Sequence, residues 1–177
     1  MNVETINKNV LAIADTFVQK MNVNAFKTIM GQSAKDFIWG SNSVAANQGI
    51  LLINAYLISK NKKYLDAALT NVDYILGRNA TGYSFITGIG SKTPMHPHHR
   101  PSIADGVIEP VPGLLAGGPN PGRQDGCVYE FTETETAYTD VDCSYASNEI
   151  AINWNAPLVY LLNAMNALKK EAGYVKK

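Results

Sequence analysis

The feature that most constrains the fold is a long stretch rich in glycine and proline, residues 78–143. It lies between two segments of the chain whose apolar residues follow helical periodicity. It holds nine of the 14 glycines, seven of the eight prolines and all three histidines. Apolar and aromatic residues nevertheless recur throughout it, which argues against a disordered linker. An ordered loop region of this length inside a compact domain is uncommon and usually functional, so we expect the functional residues there.

Apolar residues at helical spacing predict three helices before this stretch. The first is marked by a stripe at 3-4-3-4 spacing within residues 3–17. Two more, at about 44–59 and 62–76, are joined by a few polar residues and form a helical hairpin. Gly77 ends the second of these, as a glycine just after a helix often does.

A last helix is predicted at about 148–171, with a kink or break near Asn155 because Pro157 lies inside it. Short strands are possible at 83–87 and 128–132, but strands and helices do not alternate along the chain. A doubly wound sheet is therefore not expected. The sequence predicts an all-α fold of helical hairpins with a long, loop-rich segment between them.

Composition excludes several classes of partner. The formal net charge is zero, so no nucleic acid or anionic membrane is expected. No apolar run reaches the roughly 18 residues that a membrane span needs, and residues 1–17 lack the pattern of a signal peptide. Cys127 and Cys143 lie close enough in sequence to form a disulfide; two buried free thiols are the favoured alternative.

The first candidate site is a cluster of basic side chains, His96, His98, His99 and Arg100. Histidine and arginine donate hydrogen bonds to hydroxyl groups, and a guanidinium also orients carboxylates. Neighbouring prolines stiffen the backbone that carries them. Three clustered imidazoles could instead bind zinc, and a surface loop with incidental histidines remains a third interpretation.

The second candidate site contains three carboxylates, Asp140, Asp142 and Glu149, beside Tyr145 and Trp154. Hydrolysis of glycosidic bonds uses a pair of carboxyl groups, one of which acts as a general acid. Aromatic rings stack on the apolar faces of sugars. In the neutral interpretation the two aspartates are turn residues or caps, and Glu149 is a solvated glutamate in the first turn of the last helix.

Both segments resemble the two diagnostic motifs of glycoside hydrolase family nine. The positions that match the first motif are Ser84, Ile86, Thr87, Gly90, Lys92, Pro97, His98 and Arg100. Those that match the second are Tyr138, Asp140, Tyr145, Glu149, Ala151, Asn155 and Ala156. Residues 39–42 (WGSN), 73–79 (DYILGRN) and 111–126 (VPGLLAGGPNPGRQDG) are also typical of the family, so the resemblance covers nearly the whole chain.

The resemblance implies part of an (α/α)6 barrel and hydrolysis of β-1,4-glucosidic bonds, mostly in cellulose, with inversion. It implies that Glu149 is the general acid and that Asp140 is its active-site companion. It implies no required cofactor and no metal in the site. The positions at which it implies sugar binding are His98, Arg100, Trp39 and Trp154.

The chain departs from the family in one respect. The family's catalytic base lies in an Asp-Ala-Gly-Asp motif, which this chain does not contain, and about four or five predicted helices fall short of the twelve of the barrel. We therefore interpret residues 1–177 as the C-terminal part of a catalytic domain that is inactive alone. Its expected partner is the missing N-terminal half, or a second copy that covers the exposed helix faces.

Other classes remain open at this point. A non-catalytic carbohydrate-binding or assembly module would keep the cleft residues without turnover. A histidine metal module would bind zinc, and structural calcium is possible near Asp105 and Asp125. Because polymeric cellulose does not enter cells, the parent protein is expected to be secreted, although family members that act on imported oligosaccharides can be cytoplasmic.

Overall fold

A computed structural model describes residues 2–175, in which the regular secondary structure is helical. The six α-helices are α1 (Val3–Lys20), α2 (Ser41–Ser59), α3 (Lys63–Ile75), α4 (Arg100–Ala104), α5 (Tyr145–Asn148) and α6 (Ile152–Leu168). The count exceeds the prediction because α4 and α5 are single turns inside and just after the loop-rich stretch. None of the described helices is long and apolar enough to cross a membrane.

The long helices confirm the periodicity of the sequence. Asn2 caps α1, where its side chain accepts a hydrogen bond of 2.8 Å from the Thr5 amide. Helix α2 begins at Ser41, three residues earlier than predicted, because Gly40 adopts the left-handed conformation (φ 82°) that starts it. Helix α3 ends one residue before the prediction, at Ile75.

Helix α2 is the centre of the packing and contacts α1, α3 and α6. It is apolar on several sides, as expected of a helix surrounded by neighbours. Gly49 allows α6 to approach closely, because a Cβ atom at this position would lie 2.7 Å from Leu161 Cδ1. The apolar core therefore lies between α2 and the long helices around it.

The predicted last helix corresponds to α6, which begins at Ile152 instead of about 148 and ends at Leu168. The expected break near Asn155 does not occur, since α6 continues through Pro157. The single turn α5 lies before the predicted start and was not expected. Asn155 instead joins α6 to the loop region, since its Oδ1 accepts a 2.8 Å hydrogen bond from the Leu115 amide.

The loop-rich stretch is ordered by hydrogen bonds between distant residues. The Thr87 hydroxyl donates to the Val111 carbonyl (2.7 Å) and accepts from the Leu114 amide (2.9 Å). Neither possible strand forms within residues 2–175. At 83–87 only Ile86 forms an isolated bridge, to Leu115, because the backbone amides around it donate to carbonyls of three different segments, those of Lys92, Ile75 and Leu114.

Cys127 and Cys143 form a disulfide, so the favoured interpretation as free thiols is wrong. Their Cα atoms lie 6.0 Å apart, within the usual range for a disulfide. The reason is tertiary. The segment around Cys127 is hydrogen-bonded to α5, which begins two residues after Cys143. The two cysteines are therefore brought together by contacts that sequence spacing does not reveal.

Candidate active site

Glu149 lies directly after α5, in extended backbone (φ −60°, ψ 144°). It is therefore not in the first turn of α6, and the neutral interpretation of this residue is wrong. Its Oε2 accepts a hydrogen bond of 3.1 Å from the Trp39 indole N–H. Glu149 is half-buried, and Trp39 is 39% exposed. A carboxyl group and an accessible indole ring therefore lie together at the surface.

A row of rings continues from Trp39. The Tyr145 ring lies between those of Trp39 and His98, with centroid distances of 5.8 Å and 5.9 Å. The Tyr145 hydroxyl donates to the Gln124 carbonyl at 3.1 Å, which fixes the far end of the ring. Tyr145 thus connects two of the four predicted sugar-binding residues, Trp39 and His98, and supports both.

Trp39 is held in place by the residues that follow it. The Asn42 amide donates to the Gly117 carbonyl, and the Asn42 side chain donates to the Ala116 carbonyl, both at 2.9 Å. The left-handed Gly40 turns the chain between Trp39 and this anchor. In the sequence WGSN (residues 39–42), Trp39 supplies the exposed ring and Gly40 the turn. Asn42 supplies the hydrogen bonds that attach the start of α2 to the loop region.

The loop that carries His98 is fastened to the segment that carries Glu149. The two Asp140 oxygens accept hydrogen bonds from the backbone amides of Met95 (2.7 Å) and His96 (2.9 Å). The His98 amide donates to the Asn148 carbonyl at 3.0 Å, and the Asn148 side chain donates to the His96 carbonyl. Asn148 was missed by sequence reasoning because it occupies a position that the motif leaves free.

Replacing Asp140 with alanine is expected to lower the free energy of unfolding by about 2 kcal/mol, since two charge-assisted hydrogen bonds are lost and water recovers part of them. Urea unfolding measures the change. Asp142→Ala is the matched control: its side chain is 87% exposed and contacts the His96 ring, so no measurable loss is expected. Equal losses in both variants would contradict the anchoring role of Asp140.

Beneath Asp140, the motif residue Tyr138 is buried among aromatic rings. Its ring centroid lies 5.0 Å from that of Tyr83 and 5.2 Å from that of Phe85. Burial raises the pKa of the Tyr138 phenol well above its usual range, and the charge of Asp140 adds to this effect. The phenol stays neutral, and Tyr138 ties the Asp140 segment to the core.

The three histidines point to different partners. His96 Nδ1 lies 2.7 Å from Asp142 Oδ1, and His99 Nδ1 lies 2.9 Å from Ser102 Oγ, whereas His98 faces Tyr145. In the part of the chain that the structure describes, no group of three or more His, Cys, Asp and Glu side chains is placed to hold a metal ion. The geometry therefore does not support the zinc hypothesis.

Two predicted sugar-binding residues lie beside the cluster in different settings. Arg100 begins α4 and is exposed. Trp154 is half-buried and packs against Gly40, where an added Cβ atom would lie 2.4 Å from Trp154 Cε2, and against Gly117. Trp154 thus supports the turn that presents Trp39. Sugar binding by Arg100 and Trp154 stays a prediction.

Trp39 offers a direct spectroscopic test of this geometry in the chain alone. In a Trp154→Phe background Trp39 is the single tryptophan, and its emission should change when the carboxyl group that accepts its N–H is removed by Glu149→Ala. Glu149→Gln keeps an oxygen that can accept the indole N–H and is expected to stay closer to the parent emission. Unchanged emission in the alanine variant would show that another group contacts the indole.

Comparison with known proteins identifies the family. Residues 2–162 match the model described as glycosyl hydrolase family 9.

The chain belongs to glycosyl hydrolase family 9.

Its curated relatives are longer than the chain. The xyloglucan-specific endo-β-1,4-glucanase of Bacteroides ovatus is 46% identical over 166 residues, which are 93% of this chain and 28% of that protein. Endoglucanase D of Acetivibrio thermocellus is 38% identical over 160 residues, which are 90% of this chain and 23% of the relative. The chain therefore spans about a quarter of the length of these family 9 relatives.

Solved structures of the family agree with the fold. The structure of a Bacteroides ovatus family 9 protein matches with a TM-score of 0.85 and 43% identity, over 93% of this chain and 28% of that one. AaCel9A in complex with cellobiose-like isofagomine matches with a TM-score of 0.82 and 32% identity, over 94% and 31%. The predicted family and the predicted all-α fold, part of an (α/α)6 barrel, are confirmed.

Proposed function

We propose that this chain supplies the acid side of an inverting β-1,4-glucanase active site, with Glu149 as the general acid. The observation that carries the proposal is the surface position of the Glu149 carboxyl, which accepts a hydrogen bond from the Trp39 indole, whose ring lies 5.8 Å from that of Tyr145. A family 9 chain with a carboxyl group beside an open aromatic face has what protonation of a glycosidic oxygen requires.

The hydrogen bond from Trp39 assigns different tasks to the two oxygens of Glu149. Oε2 accepts the indole N–H at 3.1 Å, so Oε1 is the oxygen that carries the proton toward the leaving group. As the glycosidic bond breaks, that proton moves to the departing oxygen and Glu149 becomes a carboxylate. The Trp39 N–H then stabilises the new negative charge.

In this proposal the other site residues bind the sugars or hold the binding residues in position. Trp39 offers its exposed ring to a glucose face, His98 and Arg100 donate to hydroxyls of the flanking sugars, and Trp154 supports Trp39 and borders the cleft. Asp140 acts by holding the His98 loop through the Met95 and His96 amides, so it is a positioning residue and not a partner in proton transfer.

The base is proposed to come from outside these residues. An inverting enzyme places the second carboxyl group roughly 6.5–9.5 Å from the acid, with the attacking water between them. The nearby aspartates are engaged elsewhere, Asp140 by two amides and Asp142 by the His96 ring. The remainder of a family 9 catalytic domain is therefore the expected partner.

Exposed apolar helix faces are consistent with such a partner. On α6, Ile152 is 89% exposed and Val159 is 59% exposed, and on α1 Val3 is 72% exposed. In the complete barrel these faces would pack on further helices; in the isolated chain they favour self-association. The disulfide suits an oxidising compartment, which agrees with a secreted parent protein that acts on a polymeric β-glucan.

The decisive experiment replaces the matching segment of the Bacteroides ovatus enzyme with residues 2–162 and measures hydrolysis of xyloglucan, carboxymethyl-cellulose and cello-oligosaccharides. The isolated chain is the parallel sample. Turnover by the chimera but not by the isolated chain supports the proposal. Turnover by the chain alone would reveal a base within it. A folded chimera that binds oligosaccharides without turnover would instead favour a non-catalytic carbohydrate-binding or assembly module.

A further inference from the structure

Asp125 lies outside the family motifs around Glu149, yet its carboxylate is one of the most engaged in the chain. Oδ1 accepts a hydrogen bond of 3.0 Å from the Cys127 amide. Oδ2 accepts one of 2.8 Å from the Tyr129 hydroxyl and one of 3.0 Å from the Ala146 amide. Only donors surround this carboxylate in these contacts, which is the environment of an anchored anion.

The contact with Ala146 supplies a hydrogen-bond acceptor for a backbone amide that has none within α5. Helix α5 comprises only Tyr145–Asn148, and its N-cap residue, Ser144, makes no side-chain cap hydrogen bond. Ala146 is the second residue of this helix, so its amide has no acceptor within the turn. Asp125, twenty-one residues earlier, provides the missing acceptor.

Other contacts join the same two segments. The Asn120 side chain donates to the Ala146 carbonyl at 2.9 Å, and the Tyr129 hydroxyl oxygen, whose proton goes to Asp125, accepts from Ser147 Oγ at 3.2 Å. The disulfide links the residue two positions after Asp125 to the residue two positions before Tyr145. Helix α5 is therefore fastened along its length to residues 120–129.

A shift of α5 would displace the acid and its supporting ring together. Tyr145 begins the helix and lies between Trp39 and His98, and Glu149 follows its last residue. Because a single turn is too short to be stable by itself, its position depends on these external contacts.

We propose that Asp125 is a positioning residue for the Glu149 carboxyl, acting through the Ala146 amide and α5. The inference rests on the proposed function, since it concerns how the carboxyl group of the proposed acid, Glu149, is positioned. The donors around Asp125 also bear on the earlier expectation of calcium nearby: a calcium ion needs oxygen acceptors, whereas Asp125 is bonded to two amides and a hydroxyl. Calcium binding stays an untested prediction, and the positioning role does not require it.

The first test uses the isolated chain and needs no activity. In the Trp154→Phe background, Asp125→Asn presents an amide NH2 to one of its donors and is expected to alter the emission and near-UV circular dichroism of Trp39. Asp105→Asn is the matched control, because Asp105 accepts a similar bond of 2.9 Å from Val107 two residues on but is remote from α5 in sequence and in hydrogen bonding. The control spectra should equal those of the parent.

The second test uses the chimera that contains residues 2–162. Asp125→Asn is expected to lower kcat by about tenfold to a hundredfold with KM changed less than about twofold, and to shift the pH profile of kcat, because a misplaced acid impairs proton transfer more than binding. Asp125→Glu keeps both acceptor oxygens one methylene further out and should show a smaller loss. If the asparagine variant fails to fold, the same measurements on Asp125→Glu test the role: a lowered kcat with a shifted pH profile supports it, and parental values overturn it.

The outcomes separate the two proposals. Parental kcat, pH profile and Trp39 spectra in a folded Asp125 variant would overturn the positioning role, even if the chimera remains active. A merely structural role would lower the thermal midpoint and leave the pH profile of the folded enzyme unchanged, which would also overturn it. A chimera that is inactive with aspartate, asparagine and glutamate at position 125 would overturn the proposed function. Altered Trp39 spectra in the isolated chain would still uphold the link from Asp125 to the site.

Discussion

Replacing Glu149 with glutamine is expected to lower the hydrolysis of cello-oligosaccharides by the chimeric catalytic domain by about 10²–10⁴-fold, the usual contribution of a general acid. Glutamine is nearly isosteric and still accepts the Trp39 N–H, which Glu149 Oε2 accepts at 3.1 Å. The fold and the sugar contacts should therefore persist while the transferable proton is lost. Initial rates measure the loss, and oligosaccharide affinity should change little.

The leaving group distinguishes an acid from a binding residue. An aryl cellobioside with a strongly acidic phenol leaves without protonation, so the glutamine variant should lose far less activity on it than on cellobiosyl substrates. Glu109→Gln, at an exposed glutamate in the loop after α4, is the control and should resemble the parent on both substrates. Equal losses of the Glu149 variant on both would exclude the acid role.

Reduction of the disulfide is expected to lower the free energy of unfolding by about 3 kcal/mol at 25 °C. Cys127 and Cys143 are separated by 16 positions, and in the chain-entropy model the cross-link restricts the unfolded chain by this amount. The bond also fastens residues 120–129 to α5, so reduction should loosen the site before the helices around α2 unfold.

Urea unfolding with and without dithiothreitol measures this effect. The double variant Cys127→Ser, Cys143→Ser is the control, because it should match the reduced parent and should not respond to the reductant. Near-UV circular dichroism at low urea should report loss of the Trp39 environment ahead of the loss of helix. A reduced protein as stable as the oxidised one would show that the hydrogen bonds accepted by Asp125 and donated by Asn120 are sufficient to hold α5.

The helices illustrate what periodicity reveals and where it stops. The apolar stripe of α1 and the hairpin of α2 and α3 are local patterns, and their predicted positions agree with the structure to within a few residues. The break expected near Asn155 was wrong because Pro157 is a strong local signal, whereas the start of α6 at Ile152 follows the backbone pairing of Ile150 with His98.

The motifs identified the family and the candidate residues, but not the way in which they meet. Trp39 and Glu149 are 110 positions apart, and no local pattern indicates that the indole donates to the carboxyl. The structure adds contacts that the resemblance does not give, since Asp140 accepts hydrogen bonds from the Met95 and His96 amides and Trp154 packs against Gly40.

By itself, the sequence determined the family, the all-α class, the long helices and the expectation that the glycine- and proline-rich stretch is ordered and functional. These properties depend on residue type and on short-range spacing. Only the tertiary structure decided the Cys127–Cys143 bond, the anchoring by Asp140 and Asn148, and the support of α5 by Asp125. Each of these depends on the distance between residues remote in sequence, which is set by how the loops pack on α2 and α6 and by which side chains remain to satisfy buried backbone groups.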